Sequence, residues 1–221
     1  MLSYTFKLII SVIFFSLATF FSFVGYNTLG TSFVVCNDYV YSRSVYVGTN
    51  TGNGSGVILN NKYILTAKHV IKDSKRAYIQ GPPYKGGHIY GTRILYTSPT
   101  NDFALLENRE SLTAPAYVTN FNTSPEKLEQ GCVVGNPFDD TFVSANPVVI
   151  GILPDLDADG QLDTYLIFLG NGTKPGFSGG GIFDKQNRLV GIVNYCRMWG
   201  LVCGGEPINK IIGELVEVGK F

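Results

Sequence analysis

Ser178 lies in the stretch GTKPGFSGGG (172–181), where five glycines surround one potential nucleophile. A serine hydroxyl is activated at neutral pH by a base, usually an imidazole, and by a group that orients this base. Of the two histidines, His69 follows the apolar run YILTA at the expected end of a strand, whereas His88 lies in a turn rich in glycine and proline. Asp102 directly precedes the apolar run FALL, so we expect it half-buried at the edge of a strand. His69, Asp102 and Ser178 are therefore the candidates for base, orienting acid and nucleophile.

The composition is that of a folded, strand-rich protein. Of the 221 residues, 45% are hydrophobic and only 15% are charged, which favours a well-buried core over disorder. The 17 basic and 17 acidic residues balance and no long basic run is present, so a nucleic-acid-binding surface is not expected. The 26 glycines and the short β-branched runs favour strands joined by turns. Nothing in the composition indicates an oligomeric state.

From about residue 44 onward, short apolar runs alternate with turn residues. Six runs in the first half and five in the second are typical of strands in an all-β barrel or sandwich. These runs are SVYVG, GSGVIL, KYILTA, RAYIQ, HIYGTRILY and DFALLE, then CVVGN, PVVIGIL, TYLIFLG, GGGIFD and RLVGIVNY. The longer polar segment 111–131 forms a natural connector between the halves. The segment PINKIIGELVEVG (207–219) has the pattern of an amphipathic helix, with Pro207 expected at its first helical position.

The first 30 residues differ from the rest of the chain. Residues 8–25 (LIISVIFFSLATFFSFVG) carry no charge, which predicts a hydrophobic helix that is either a retained transmembrane anchor or a cleaved signal peptide. Lys7, on the N-terminal side of this run, favours a cytoplasmic N-terminus with the remaining chain outside. We therefore predict that residues 31–221 are membrane-anchored on the non-cytoplasmic side of a membrane, or secreted.

The four cysteines agree with an exported protein. An even number of cysteines in such a chain suggests disulfides. Cys196 and Cys203 can close a small loop late in the chain, which leaves Cys36 for Cys132. Buried free thiols are the alternative. A zinc site is not expected, because the chain has neither a CxxC pair nor a cluster of histidines.

The order of the motifs resembles that of the trypsin-like (chymotrypsin-fold) serine proteases, and most of all the HtrA/Deg-like branch. These motifs are GSGVILNNKYILTAKHVI, NDFALLE, GCVVGNPF, PVVIGIL, KPGFSGGGIFD and RLVGIV. The resemblance covers roughly residues 44–212 and implies an all-β fold of two six-stranded antiparallel β-barrels with the active site between them. It implies a first barrel at about residues 40–110, a second at 132–206 and a C-terminal helix at 207–219. The chain ends soon after this helix, so no C-terminal PDZ domain is expected.

The resemblance also implies a role for each candidate residue. His69 matches the general base of the family, Asp102 the acid that orients it, and Ser178 the nucleophile. The backbone N–H groups of Gly176 and Ser178 match the oxyanion hole, where glycine leaves the substrate carbonyl unobstructed. The implied activity is that of a serine endopeptidase, which hydrolyses a protein or peptide through an acyl-enzyme intermediate and requires no cofactor. Lys68, beside His69, is expected to be a solvated surface residue.

Phe177 is the main departure from the family pattern. Trypsin-like digestive enzymes have an aspartate at this position, which pairs with the N-terminus released by zymogen cleavage, and HtrA-like members lack it too. Gly172, six residues before the serine, does not support cleavage after lysine or arginine, so a small or medium apolar substrate side chain is the expectation. The predicted substrate pocket comprises Gly172, Phe177, Val193 and Asn194. A catalytically inactive binding or chaperone-like protein on the same fold is the alternative function.

The acidic stretch DLDADGQLD (155–163) resembles the first nine positions of an EF-hand calcium loop. The candidate Ca²⁺ ligands are Asp155, Asp157, Asp159 and Asp163. The position of the bidentate glutamate, however, holds Leu166, and the flanking sequences are typical of strands. The alternative is an acidic, solvated hairpin tip. Calcium bound there would stabilise or regulate a loop and take no part in the chemistry.

Overall fold

The computed structural model describes residues 36–80, 89–109, 120–123, 128–136, 144–156, 162–170, 173–197 and 202–220, which all belong to one compact unit, Val34–Phe221. The predicted N-terminal hydrophobic helix (1–30) and most of the predicted connector lie outside these ranges, as does His88. Among the described residues, no helix is long and apolar enough to cross a membrane. The anchor and the signal peptide therefore stay predictions.

Six antiparallel strands form a closed barrel in the first half of the described chain, in the order β1-β2-β3-β6-β5-β4. They are β1 (Ser44–Gly48), β2 (Asn53–Ile58), β3 (Tyr63–Thr66), β4 (Ala77–Gln80), β5 (Ile89–Thr97) and β6 (Ala104–Asn108). Alternate residues of a strand face the same side of the sheet, and the inward positions here are apolar and buried. All six strands coincide with predicted runs. The prediction of an all-β fold with a six-stranded barrel is confirmed.

Six further strands form a second sheet. They are β7 (Leu128–Gly135), β8 (Ser144–Leu156), β9 (Leu162–Gly170), β10 (Gly181–Asp184), β11 (Leu189–Arg197) and β12 (Val202–Pro207). They pair in the order β10-β11-β12-β9-β8-β7, and β7 also pairs with β10. β7 begins four residues before the predicted start of this region at 132. β12 is missing from the predicted runs, because its sequence VCGGEP has two glycines, a glutamate and a proline instead of an apolar alternation.

In the described part of the chain, two α-helices flank these sheets. The short α1 (Asp38–Tyr41) was not predicted, and the side chain of Asn37 caps it by accepting a hydrogen bond from the Val40 N–H at 3.2 Å. The predicted C-terminal helix is confirmed as α2 (Ile208–Glu217). Pro207 is its N-cap rather than its first helical residue, because its ψ of 141° continues the extended backbone of β12. The apolar face of α2 packs into the core, where Ile208, Ile211 and Leu215 are buried.

Both predicted disulfides are present, so the alternative of free thiols is wrong. Cys36–Cys132 joins the segment before α1 to β7 across 96 residues of sequence. Cys196–Cys203 joins facing residues of β11 and β12, with their Cα atoms 4.0 Å apart. Disulfides persist in oxidising compartments, which indicates a non-cytoplasmic location.

The acidic stretch 155–163 connects β8 to β9. Asp155 and Asp163 face each other as the next-to-last residue pair of this hairpin, whereas Asp157 and Asp159 lie outside the described residues. Within the described ranges, no group of three or more histidine, cysteine, aspartate or glutamate side chains is placed to hold a metal ion. Calcium binding at this loop stays a prediction.

Candidate active site

His69 and Asp102 form a hydrogen-bonded pair on the first barrel. His69 Nδ1 lies 2.7 Å from Asp102 Oδ2, and the His69 backbone N–H donates to Asp102 Oδ1 at 3.0 Å. One carboxylate thus contacts both the ring and the backbone of the histidine, which fixes the ring orientation and leaves Nε2 for another partner. The two side chains are 44% and 32% exposed, so the pair is accessible from solvent.

The register of two neighbouring strands brings this pair together. β3 and β6 are antiparallel, with Thr66 opposite Ala104. His69 follows Thr66 by three residues and Asp102 precedes Ala104 by two, so both leave the sheet at the same end. A 3-10 turn, Lys68–Ile71, carries His69 beyond β3, and its first backbone N–H donates to Asp102 O at 3.3 Å. Local strand pairing therefore accounts for the contact between His69 and Asp102.

The candidate nucleophile follows a tight turn, Lys174–Phe177. The Phe177 N–H donates to Lys174 O at 3.2 Å, and Gly176 has a φ of 103°. Proline at the second position and a glycine with positive φ at the third are what a type II β-turn requires. Within the described part of the chain, the backbone N–H groups of Gly176 and Ser178 donate to no acceptor. Two free N–H groups so close together are unusual in a folded chain, and they can receive a negatively charged oxygen.

Residues 174–179, which we call the serine turn, are joined to both sheets by backbone hydrogen bonds. The Ser178 carbonyl accepts from the Ser55 N–H of β2 at 2.8 Å, and the Gly179 N–H donates to Val193 O of β11 at 2.7 Å. The Ser55 hydroxyl, which is fully buried, donates to Gly176 O at 2.6 Å and accepts from the Asn136 N–H at 2.7 Å. Sequence reasoning missed Ser55, whose only signal was a small polar residue between two glycines of a strand.

The serine turn lies against the end of β3, three residues before His69. At Gly179, whose φ is 83°, a Cβ atom would lie 2.5 Å from Thr66 Oγ1 and 2.7 Å from the Ala67 nitrogen. No side chain fits at that distance, so only glycine permits this approach. The structure thus brings Gly179, the residue directly after Ser178, into contact with the end of the strand that leads to His69. Among the described residues, the Ser178 hydroxyl itself makes no hydrogen bond, and the side chain is partly exposed.

The predicted pocket residues have different environments. Gly172 lies outside the described residues. Phe177 and Val193 are each 1% exposed and belong to the apolar core of the second sheet. Phe177 packs directly on Gly135, where an added Cβ would lie 2.7 Å from its ring. Phe177 therefore anchors the serine turn by burying an apolar side chain in the core.

Asn194 faces a buried carboxylate, Glu206 of β12. Asn194 Nδ2 donates to Glu206 Oε2 at 3.3 Å, and Lys210 Nζ lies 3.9 Å from Glu206 Oε1. Burial raises the pKa of Glu206, and the Lys210 charge, the Asn194 amide and the Asp102 backbone N–H oppose this rise. The negative charge of Asp102 itself adds to the rise, so Glu206 lies within electrostatic reach of the His69–Asp102 pair. The sequence offered no signal for Glu206, which is in the strand that was not predicted.

A cleft of about 620 Å³ opens beside the His69–Asp102 pair. Its other lining residues come from the 3-10 turn, the segment that follows it and β5, and they include Ile71, Lys72, Lys75, Ile94 and Thr97. The cleft is large enough for several side chains of an extended peptide. His69 and Asp102 themselves line this cleft, so His69 is accessible from this side.

The fold and these motifs define a family. Residues 54–192 match the model of the trypsin-like peptidase domain, and the chain belongs to this family. The matched segment contains His69, Asp102 and Ser178, together with Ser55 and the serine turn. It ends before β12 and α2.

Two curated proteins are similar in sequence. A protein named "Serine protease HtrA-like" from Staphylococcus haemolyticus is 26% identical over 171 residues, which are 67% of this chain and 25% of that protein. The uncharacterized protein y4bJ from Sinorhizobium fredii is 27% identical over 147 residues, which are 66% of this chain and 22% of that protein. The chain spans about a quarter of the length of these relatives.

Solved structures of similar fold include two proteases. The active form of the Rv3671c protease from M. tuberculosis has a TM-score of 0.65 at 18% identity and covers 81% of this chain and 82% of that one. The apo MamO protease domain from Magnetospirillum magneticum has a TM-score of 0.64 at 21% identity, with coverages of 80% and 98%. At these identities the likeness concerns the fold alone.

Proposed function

We propose that the protein is a serine endopeptidase in which Ser178, His69 and Asp102 form a catalytic triad. The observation that carries the proposal is the His69–Asp102 pair, with its 2.7 Å contact, beside a serine turn that packs on the strand leading to His69. Membership of the trypsin-like peptidase domain family supports the same activity. The two-barrel architecture, with the active site between the barrels, belongs to this proposal.

The proposed reaction passes through an acyl-enzyme. Ser178 Oγ bonds to the scissile carbonyl carbon while its proton passes to His69 Nε2. The imidazolium then protonates the leaving amine as the C–N bond breaks. Water attacks the resulting ester and gives a proton to His69, which returns it to Ser178 Oγ as the acid product leaves. Asp102 keeps a proton on His69 Nδ1 and stabilises the imidazolium.

The backbone N–H groups of Gly176 and Ser178 are proposed to bind the oxyanion of the tetrahedral intermediate. Both lack an acceptor among the described residues. Both lie in the serine turn, which is anchored by the buried Phe177 side chain and by the hydrogen bond from the Ser55 hydroxyl to Gly176 O. Donors fixed in this way need no rearrangement as negative charge develops, which is the main source of their catalytic effect.

The proposed substrate is a protein or peptide with a small or medium apolar side chain at the cleavage site, and the chemistry requires no metal. The two disulfides support action outside the cytoplasm. The uncharged N-terminal run supports attachment to a membrane or export across it. Calcium at the β8–β9 loop is proposed only as a stabilising or regulatory ligand.

A fluorophosphonate probe tests the proposal directly. The whole chain, Ser178→Ala and Ser44→Ala would be treated with the probe, with calcium or with a chelator, and read by intact mass. We expect one adduct on the wild type and on Ser44→Ala, which removes a buried hydroxyl of β1, and none on Ser178→Ala. A folded wild type without an adduct under both conditions would favour the non-catalytic binding protein. An adduct that forms only with calcium would make the acidic loop a regulatory site.

A further inference from the structure

The carboxylate of Glu214, on helix α2, is the acceptor of three side-chain hydrogen bonds. Tyr96 OH donates at 2.6 Å, Ser98 Oγ at 3.0 Å and Asn101 Nδ2 at 2.6 Å. All three donors come from one short segment, at the end of β5 and in the loop that leads to Asp102. Glu214 is more than 110 residues away from this segment in sequence, so this is a long-range contact.

The segment that Glu214 holds is itself a closed turn. The Asn101 N–H donates to Ser98 Oγ at 2.8 Å, and the Ser98 N–H donates to Phe103 O at 3.1 Å. Glu214 binds the side chains at both ends of this turn, and Asn101 is the residue directly before Asp102. A displacement of the turn would therefore displace the Asp102 carboxylate.

The same turn is also bonded to the element that carries His69. Lys68 was expected to be a solvated surface residue, but its ammonium group donates to Ser98 O at 2.9 Å and its backbone N–H donates to Asp102 O at 3.3 Å. Lys68 is the residue directly before His69. The base and the acid are thus each adjacent to a residue that is tied to the Ser98–Asn101 turn, which Glu214 anchors.

The charge of Glu214 suits this anchoring role. Burial raises the pKa of Glu214. This rise is outweighed by the hydrogen bonds from Tyr96, Ser98 and Asn101 and by the charge of Lys68, so the pKa lies below its ordinary value. In turn, the hydrogen bond to Glu214 raises the pKa of Tyr96 to about 12. The three donors therefore face a carboxylate that is ionised at neutral pH, and hydrogen bonds to an ionised acceptor are the strong ones.

We infer that Glu214 is a positioning residue for the catalytic pair. It lies in α2, outside the segment that matches the trypsin-like domain, and it holds the Ser98–Asn101 turn so that Asp102 meets His69 Nδ1 in the orientation that catalysis needs. The inference rests on the proposed function of His69 and Asp102. The competing interpretation is a contact that only stabilises the packing of α2 on the barrel.

Glu214→Gln removes the charge and one acceptor at constant size, and Glu217→Gln is its matched control. Glu217 is exposed, has the same charge and lies on the same helix, with no hydrogen bond among those of the described residues. We expect Glu214→Gln to lower kcat about tenfold with KM within twofold of the wild type, because the loss concerns orientation rather than binding. The rate of fluorophosphonate labelling should fall in the same proportion. Glu217→Gln should leave both within twofold.

A second readout does not depend on activity. In a Ser178→Ala background, NMR of the proton on His69 Nδ1 reports the hydrogen bond to Asp102, and the chain has only two histidines to assign. Glu214→Gln should shift or broaden this resonance, whereas Glu217→Gln should not. If Glu214→Gln lowers the Tm but leaves kcat and the Nδ1 resonance unchanged, the contact is only structural and the inference is wrong. A wild type that is never labelled would refute the proposed function, and the NMR comparison would still test the role of Glu214.

Discussion

His69 and Asp102 are held by side chains, whereas Ser178 is held by the backbone around it. The Asp102 carboxylate binds the ring and the N–H of His69, and the turn before it is anchored by Glu214. On the other side, the carbonyl of Ser178 and the N–H of Gly179 bond to backbone groups of β2 and β11. Hydrogen bonds between side chains can be weakened one at a time. The backbone contacts of the serine turn, by contrast, require close approach, and a single added atom can prevent them all.

Asp102→Asn, at the His69–Asp102 pair, should have the largest effect on the rate of peptide hydrolysis. Asparagine keeps the size and one acceptor oxygen, so the fold should persist. With that oxygen accepting from the His69 backbone N–H, the NH₂ group donates to His69 Nδ1 and stabilises the tautomer that carries its proton on Nε2, which cannot act as a base. We expect the rate of peptide hydrolysis to fall about 10⁴-fold, as this wrong tautomer does in triads of this kind. Steady-state kinetics and thermal unfolding would be measured together.

A structural carboxylate provides the control for this substitution. Asp184 accepts from the backbone N–H groups of Gln186 and Arg188 and from the side chains of Asn122 and Arg188, at the turn between β10 and β11. Asp184→Asn should lower stability by about 1–3 kcal/mol, because buried donors lose a charged acceptor, and should leave kcat nearly unchanged. Equal losses of rate in the two variants would show that Asp102, too, acts only through stability.

Gly179→Ala tests the backbone contacts that hold the serine turn. The new Cβ would lie 2.2 Å from Ser55 O and 2.5 Å from Thr66 Oγ1, at a φ of 83° that alanine disfavours. We expect a loss of about 3 kcal/mol or more in the free energy of unfolding, together with loss of labelling at Ser178. Gly213→Ala is the matched control, because nothing lies within 4 Å of its Cβ position on helix α2, and it should stabilise the protein by about 0.5–1 kcal/mol. A stable, normally labelled Gly179→Ala would contradict the conclusion that close packing at Gly179 holds the serine turn.

Ser55→Ala should have an intermediate effect, because it removes one side chain from an otherwise backbone-held region. The Ser55 hydroxyl bridges Gly176 O and the Asn136 N–H, and both groups would lose a buried partner. We expect a loss of about 2 kcal/mol in stability and slower labelling, since Gly176 also supplies a proposed oxyanion donor. Ser44 is an equally buried serine whose hydroxyl has no partner among the described residues. Ser44→Ala should therefore be close to neutral, and a similar loss in both variants would argue against the bridge.

The difference between the two halves also explains what the sequence could and could not predict. The six strands of the first barrel are apolar runs bounded by turns, and each was predicted because local pattern determines a strand. His69 and Asp102 were selected as candidates because histidine is scarce and both residues lie beside such strands, and the structure pairs their side chains. The glycines around Ser178 predicted a turn, but the close backbone approach at Gly179 became apparent only in the structure.

The supporting residues could not be predicted, because their roles depend on contacts between distant parts of the chain. Ser55 bonds to a residue 121 positions away, and Glu214 to residues 113 to 118 positions away. A polar residue at such a position has the same local pattern as one that faces solvent. β12 was missed for a related reason: its small and polar residues, such as Gly205, are buried by tertiary packing rather than by an amphipathic pattern.

Glu206→Gln should have the smallest effect, and it distinguishes Glu206 from Glu214, two carboxylates near the His69–Asp102 pair. Burial raises the pKa of Glu206, so folding favours its protonated form. The resulting stabilisation is present at low pH and is lost as the pH rises through the raised pKa. Glu214 behaves in the opposite sense, because its lowered pKa gives stabilisation that is present above the ordinary glutamate pKa and is lost as the pH falls.

The free energy of unfolding, measured from about pH 4 to pH 8, distinguishes the two groups. Glu206→Gln should gain about 1 kcal/mol at neutral pH, because a neutral amide avoids the cost of a buried charge and can donate to Asn194 Oδ1, which has no partner within the described ranges. Its advantage over the wild type should shrink as the pH falls and the wild-type carboxyl takes up its proton. Glu214→Gln should instead lose stability relative to the wild type at neutral pH and recover it in acid. Parallel curves for Glu206→Gln and the wild type would mean that folding does not raise the pKa of Glu206, and that its carboxylate is as well solvated or paired in the folded protein as in the unfolded chain.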